Sequence, residues 1–68
     1  TELAVLADAR QCLPLVKPGG QLLFDDYENR IKKHGHVKDG VKMWLKEVGS
    51  QVELEWQDRF MICFSKVA

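Results

Sequence analysis

The sequence predicts an α/β domain laid out as helix, strand, helix, strand, strand. Apolar residues recur at helical spacing in two stretches, one before Pro14 and one from Val37 to Val48. A Lys17-Pro18-Gly19-Gly20 turn feeds the apolar run Leu22-Leu23-Phe24, and the C-terminal part reads as two extended runs divided by Gln57-Asp58-Arg59.

Leu3, Ala4, Leu6, Ala7, Ala9, Cys12 and Leu13 share a helical period, with Glu2 favourably placed near the N-terminal end, which predicts a helix over residues 2–13. Pro14 ends that helix or kinks its last turn. Pro18 presets the φ of the second turn position, and Gly19 supplies the positive φ of a type II turn at the third. A strand follows over residues 21–25. Its apolar residues are continuous rather than alternating, which suits a strand covered on both faces, as in a parallel sheet. Residues 27–36 form a long polar loop.

Val37, Val41, Trp44, Leu45 and Val48 then occupy one helical face and Lys38, Lys42 and Lys46 another, with Gly49 placed to take the left-handed conformation past the helix end. Val52, Leu54 and Trp56 alternate with polar residues, the pattern of a strand with one wet face. Phe60 to Phe64 are apolar in succession, which predicts a central strand, paired antiparallel with its predecessor through a short turn. The order implies a helix crossing between two parallel strands and an antiparallel strand added last.

Composition narrows the functional classes. The chain has 68 residues, enough for one small domain or a piece of one, and such a domain buries only about 60% of its unfolded surface. Its 46% hydrophobic and 29% charged content is too apolar for disorder, and the charges interrupt any membrane span. The formal charge of +0 provides no overall field for nucleic acid, although Tyr27 to Val48 holds six Lys or Arg against three acids. Cys12 and Cys63 each sit in an apolar run outside any zinc-binding spacing and read as reduced core residues. With no signal peptide in these residues, the expectation is a cytoplasmic protein, and an initial Thr1 in place of methionine suggests a cut or processed chain.

The chemistry-bearing residues gather after the first strand. Asp25 and Asp26 stop its burial abruptly, where open α/β sheets keep their ligands. Adjacent residues on an extended chain point to opposite sides, so a bend is needed to bring both carboxylates to one ligand. The plainer reading is a solvated strand-to-loop junction, where Asp caps turns. Tyr27 lines a substrate pocket or packs under the next loop. His34 and His36 are base or ligand candidates that titrate near neutrality, or simply exposed loop residues. Arg30, Lys32 and Lys33 meet an acidic group or form a solvated loop, and Trp44 and Trp56 read as core. The glycines form no phosphate-cradling pattern.

The order of elements, the run from Leu13 to Tyr27, the following Gly35-His36-Val37 and Gly40-Val41, and the closing hairpin resemble the C-terminal part of a class I S-adenosylmethionine-dependent methyltransferase with its Rossmann-like sheet. The resemblance covers essentially the whole chain, residues 1–68, as a single partial domain. It implies that Leu22 to Phe24 is the fifth strand, Val52 to Trp56 the sixth and Phe60 to Phe64 the seventh, inserted antiparallel between the other two. A narrower likeness is to cation-dependent small-molecule O-methyltransferases. It implies a metal role for Asp25 and Asp26, with S-adenosylmethionine as cofactor and Mg²⁺ as a cation suited to hard oxygen ligands, beside the substrate-binding role that its position gives Tyr27.

The family's Gly-rich turn after the first strand, its acidic residue after the second and its third metal carboxylate have no counterpart in these residues. The expectation is a methyltransferase segment that is inactive in isolation, its methyl acceptor a small hydroxylated molecule. Two alternatives remain: an interaction module using the strand edge, as a homo-oligomer or with the missing half, and a metal-dependent hydrolase of α/β type. None of the three expects nucleic acid or a membrane as partner.

Overall fold

The computed structural model describes residues 1–25, 27 and 36–67. They form a small mixed α/β domain of two helices and a three-stranded antiparallel sheet. Helix α1 spans Glu2–Cys12, strand β1 Gln21–Phe24, helix α2 His36–Val48, strand β2 Val52–Gln57 and strand β3 Ile62–Lys66. The predicted element order holds.

Thr1 caps α1, its hydroxyl accepting the Ala4 N–H at 3.2 Å. Pro14 tightens the chain into a 3-10 turn over Leu13–Leu15. The Val16 N–H donates to Leu13 O at 3.1 Å, and from across the fold the Lys66 ammonium donates to Leu13 O at 3.1 Å and to Val16 O at 2.9 Å. The next reversal is the expected type II turn, with Gly19 at φ 84 and the Gly20 N–H donating to Lys17 O at 2.8 Å. Past α2, Gly49 has φ 53, the left-handed conformation expected of it.

The strand order is β1-β3-β2, and both pairings of β3 are antiparallel. Strands β1 and β2 therefore run in the same direction, with α2 crossing between them and β3 inserted in the middle. The central position expected for the last strand is what the sheet shows.

Both helices cover one face. Leu6, Ala9 and Leu13 from the α1 side meet Val41 and Trp44 of α2 over Leu22, Val52, Ile62 and Phe64. Trp44 is fully buried, its ring 5.3 Å from Phe24 and 5.5 Å from Phe64 between centroids. Between the helices, Gly40 lies where no side chain fits: an added Cβ would fall 2.6 Å from Val5 Cβ and 2.8 Å from Glu2 O. Close approach of the helix backbones is the reason.

Four expectations need correction. Strand β1 is covered on one face only: Leu22 is buried, whereas Leu23 is 51% exposed, because both helices lie on the same side. Cys12 is exposed, at the flank of the α1 face that enters the core, while Cys63 is buried as expected.

Trp56 is 43% exposed rather than core. A register shift between Leu54 and Trp56 breaks the alternation, so Leu54 opposes Phe64 while Trp56 opposes Cys63, which points to the other face. The hairpin connection is also longer than predicted. Asp58 Oδ1 accepts the N–H groups of Phe60 and Met61, both at 2.8 Å, which holds those two residues in the turn and starts β3 at Ile62.

Candidate functional site at the carboxyl ends of the strands

Phe24 and Gln57 both oppose Ile62, so β1 and β2 finish at the same edge of the sheet. The hairpin turn lies at that edge, as does the N-terminus of α2. Because α1 leads back to the start of β1, its first turn lies there too. One rim therefore gathers Glu2, Asp25, Tyr27, His36, Lys38 and Asp58.

Tyr27 is 7% exposed. Its N–H donates to Phe60 O at 2.9 Å, tying the end of β1 to the hairpin turn, and Lys38 Nζ stands 5.7 Å from its ring centroid. The residue expected to face substrate is thus a packed ring beneath a cation. Asp25 is exposed at the strand end. Asp26, the other half of the expected metal pair, lies outside the described residues, as do Arg30, Lys32, Lys33 and His34. Among the described residues no group of three or more His, Cys, Asp or Glu converges on a common point. Asp25 by itself falls short of the donor set that Mg²⁺ takes from proteins.

His36 Nδ1 lies 2.9 Å from Glu2 Oε2, joining the two helix N-termini. Hydrogen bonding from its own backbone and then from His36 lowers the Glu2 pKa. The Asp58 carboxyl is likewise held low, by the Phe60 N–H and then the Met61 N–H. These rim groups carry anionic oxygens at neutral pH.

Sequence reasoning missed Glu2, Lys38 and Asp58 as rim residues. Asp58 had a readable signal, since an Asp two residues before a turn's end accepts local backbone N–H groups. Glu2 and Lys38 reach the rim only through the packing of the helices.

No family model, curated protein or solved structure matches the chain.

Beside β1, on the side away from β3, a groove of about 480 Å³ runs between the strand and α1. Ala9, Cys12, Leu15, Val16 and Leu22 line it, with Asp8 at its side. Among the described residues, no helix is long and apolar enough to cross a membrane.

Proposed function

We propose that the chain is the C-terminal segment of an S-adenosylmethionine-dependent O-methyltransferase that acts on a small hydroxylated molecule. One observation carries the reading: β3 is inserted antiparallel between β1 and β2, which run in one direction and are joined by α2. That arrangement is the one implied for the last three strands of such an enzyme. The turn at Lys17 to Gly20, the single helical layer and the acidic residue at the end of β1 support it.

On this reading the rim faces the methyl acceptor. Asp25, with Asp26, contributes oxygen ligands, and further carboxylates come from the other half of the enzyme. A bound divalent cation supplies acidification of the acceptor hydroxyl. Tyr27, fixed by Phe60 and Lys38, braces the strand end that presents Asp25. The cofactor's Gly-rich turn and ribose-binding acid belong to the other half as well, so the 68 residues do not transfer methyl groups unaided.

The test is the coding sequence immediately upstream of Thr1. A Gly-rich strand-to-helix turn followed by a carboxylate is expected, and their absence overturns the reading. Calorimetric titration of the isolated chain with S-adenosylmethionine should give no heat of binding. Measurable affinity would refute a cofactor site located elsewhere.

The outer edge of β1, with no paired strand among the described residues, favours a second reading, a non-enzymatic association module. Concentration-dependent oligomers would support it, provided that no cofactor-binding half is encoded upstream.

A further inference from the structure

Past the last ladder pair, Phe24 with Ile62, one more backbone bond ties the end of β1 to the hairpin: the Tyr27 N–H donates to Phe60 O at 2.9 Å. Between those two ties the chain advances three positions on the β1 side, from Phe24 to Tyr27, and only two on the other, from Ile62 to Phe60. An antiparallel ladder holds equal numbers on its two sides, so one residue is surplus. A surplus residue bends its strand and re-aims the side chains there. The backbone is bent at Asp25. A bend is what adjacent carboxylates need before both can turn to one ligand.

The direction of that tie is set by Asp58. Phe60 O and the Met61 N–H belong to one planar trans peptide, so they point in opposite directions. Asp58 Oδ1 accepts this N–H at 2.8 Å, and the Phe60 N–H beside it at 2.8 Å, which aims the carbonyl out of the turn and at Tyr27. Closing the turn does not require the carboxylate, because the Asp58 N–H already donates to Met61 O at 2.9 Å. The same two N–H groups hold the Asp58 carboxyl low, and a charged acceptor polarises the peptide and strengthens its carbonyl as an acceptor in turn. Lys38 meets only the ring of Tyr27, whereas the backbone tie is what brackets Asp25.

The geometry points to Asp58 as a positioning residue of the candidate site: through the Phe60–Met61 peptide and the Tyr27 N–H, its carboxylate holds the bent strand end that carries Asp25. This role rests on the reading of Asp25 as an oxygen ligand. It adds a residue of the hairpin turn that fixes the direction of that ligand.

The experiment compares the 68-residue chain with Asp58→Ala, Asp58→Asn and a control for general stability, Ser65→Ala, which removes the Ser65 hydroxyl's bond to Glu55 on the same hairpin. Asp58→Ala should abolish the scalar coupling across the bond between Tyr27 N and the Phe60 carbonyl. It should also speed exchange of the Tyr27 amide at least about tenfold, with the Leu22 and Phe24 amides changed less than about threefold. Asparagine keeps an acceptor oxygen at the same reach and should hold both quantities near their native values, as should Ser65→Ala. Asp58→Ser, whose shorter hydroxyl accepts more weakly, should fall between alanine and asparagine, and it decides the matter if the alanine variant does not fold. Millimolar Mn²⁺ should broaden the Asp25 carboxyl resonance beyond that of the exposed Asp8, an excess that falls in Asp58→Ala and returns in Asp58→Asn.

A Tyr27 amide unmoved by alanine and serine, acceleration shared equally with Leu22 and Phe24, an asparagine variant that behaves like alanine, or an Asp25 excess that survives loss of the tie would each overturn the inference. Absence of any Asp25 excess, with Tyr27 responding as expected, would count against the metal reading and leave the tie standing. A Gly-rich turn upstream of Thr1 with an unmoved Tyr27 would do the reverse, sparing the enzyme reading and sinking the role of Asp58.

Discussion

Gly40 of α2 lies directly against Val5 of α1, so that a Cβ added at Gly40 would come within 2.6 Å of Val5 Cβ. The site inverts the usual helix arithmetic. Gly40→Ala improves helix propensity by about 1 kcal/mol, yet overpacking here costs about 1–3 kcal/mol and forces apart the helices that cover the sheet. The variant should unfold at lower urea concentration than the native chain with an unchanged m-value. A stabilised Gly40→Ala would show that the helices do not approach this closely.

The two tryptophans should respond in opposite ways. Trp44 fills the space between α2, Phe24 and Phe64, and Trp44→Ala should cost about 3–5 kcal/mol, enough to unfold a domain of this size. Trp56, displaced to the open face by the bulge, should cost less than about 1 kcal/mol on the same substitution. Iodide quenching of single-tryptophan variants checks the assignment independently. Trp56 should be quenched readily and Trp44 hardly at all.

Lys66 acts as a cap at long range. Lys66→Met keeps the aliphatic stem but removes the ammonium from the Val16 carbonyl and leaves the Leu13 carbonyl with the Val16 N–H alone, a loss of about 1–2 kcal/mol read from chemical denaturation. Exchange of amides in the turn preceding β1 should accelerate more than exchange in α2. Uniform acceleration would mean that Lys66 contributes only general stability.

The thiols provide a kinetic test. Cys12 is exposed and should react promptly with an aromatic disulfide reagent. Burial, and then the nearby Glu55 charge, push the Cys63 thiol pKa up, so its modification should wait for unfolding. Two equally fast thiols would contradict the packing of β3.

Acid should weaken the fold through three carboxyls. Glu2, Glu47 and Asp58 are all held below the usual carboxylate range, Glu47 by the two-pronged ion pair with Arg10. Each binds its proton less readily folded than unfolded. The stability they contribute is complete above the ordinary carboxylate range and is lost as pH falls from that range through their lowered pKa values. The urea midpoint should therefore drop progressively below about pH 5. Asp58→Asn should flatten part of that drop, because the turn then no longer depends on ionisation.

Much of the architecture was legible because it is local. The Pro18-Gly19 turn, the helical faces around Val41 and Trp44, and the ending of α2 at Gly49 follow from backbone conformation and periodicity in neighbouring residues. Trp56 was not legible, since an alternating pattern carries no mark of the bulge that reverses it. The site was less legible still. Asp25 was readable from its place at the strand end, but Glu2 and Lys38 join the rim only through the way α1 and α2 pack.

The sequence by itself determined the turn at Pro18-Gly19, which stretches are helical or extended, and that the last strand is central. Those properties depend on residues within a few positions of one another. Only the tertiary structure decided that both helices cover one face, that Cys12 and Leu23 are exposed, and that an apolar groove lies between β1 and α1. These depend on which face each strand turns toward a helix, and a single register shift or the side of a crossover changes that choice without altering the hydrophobic pattern.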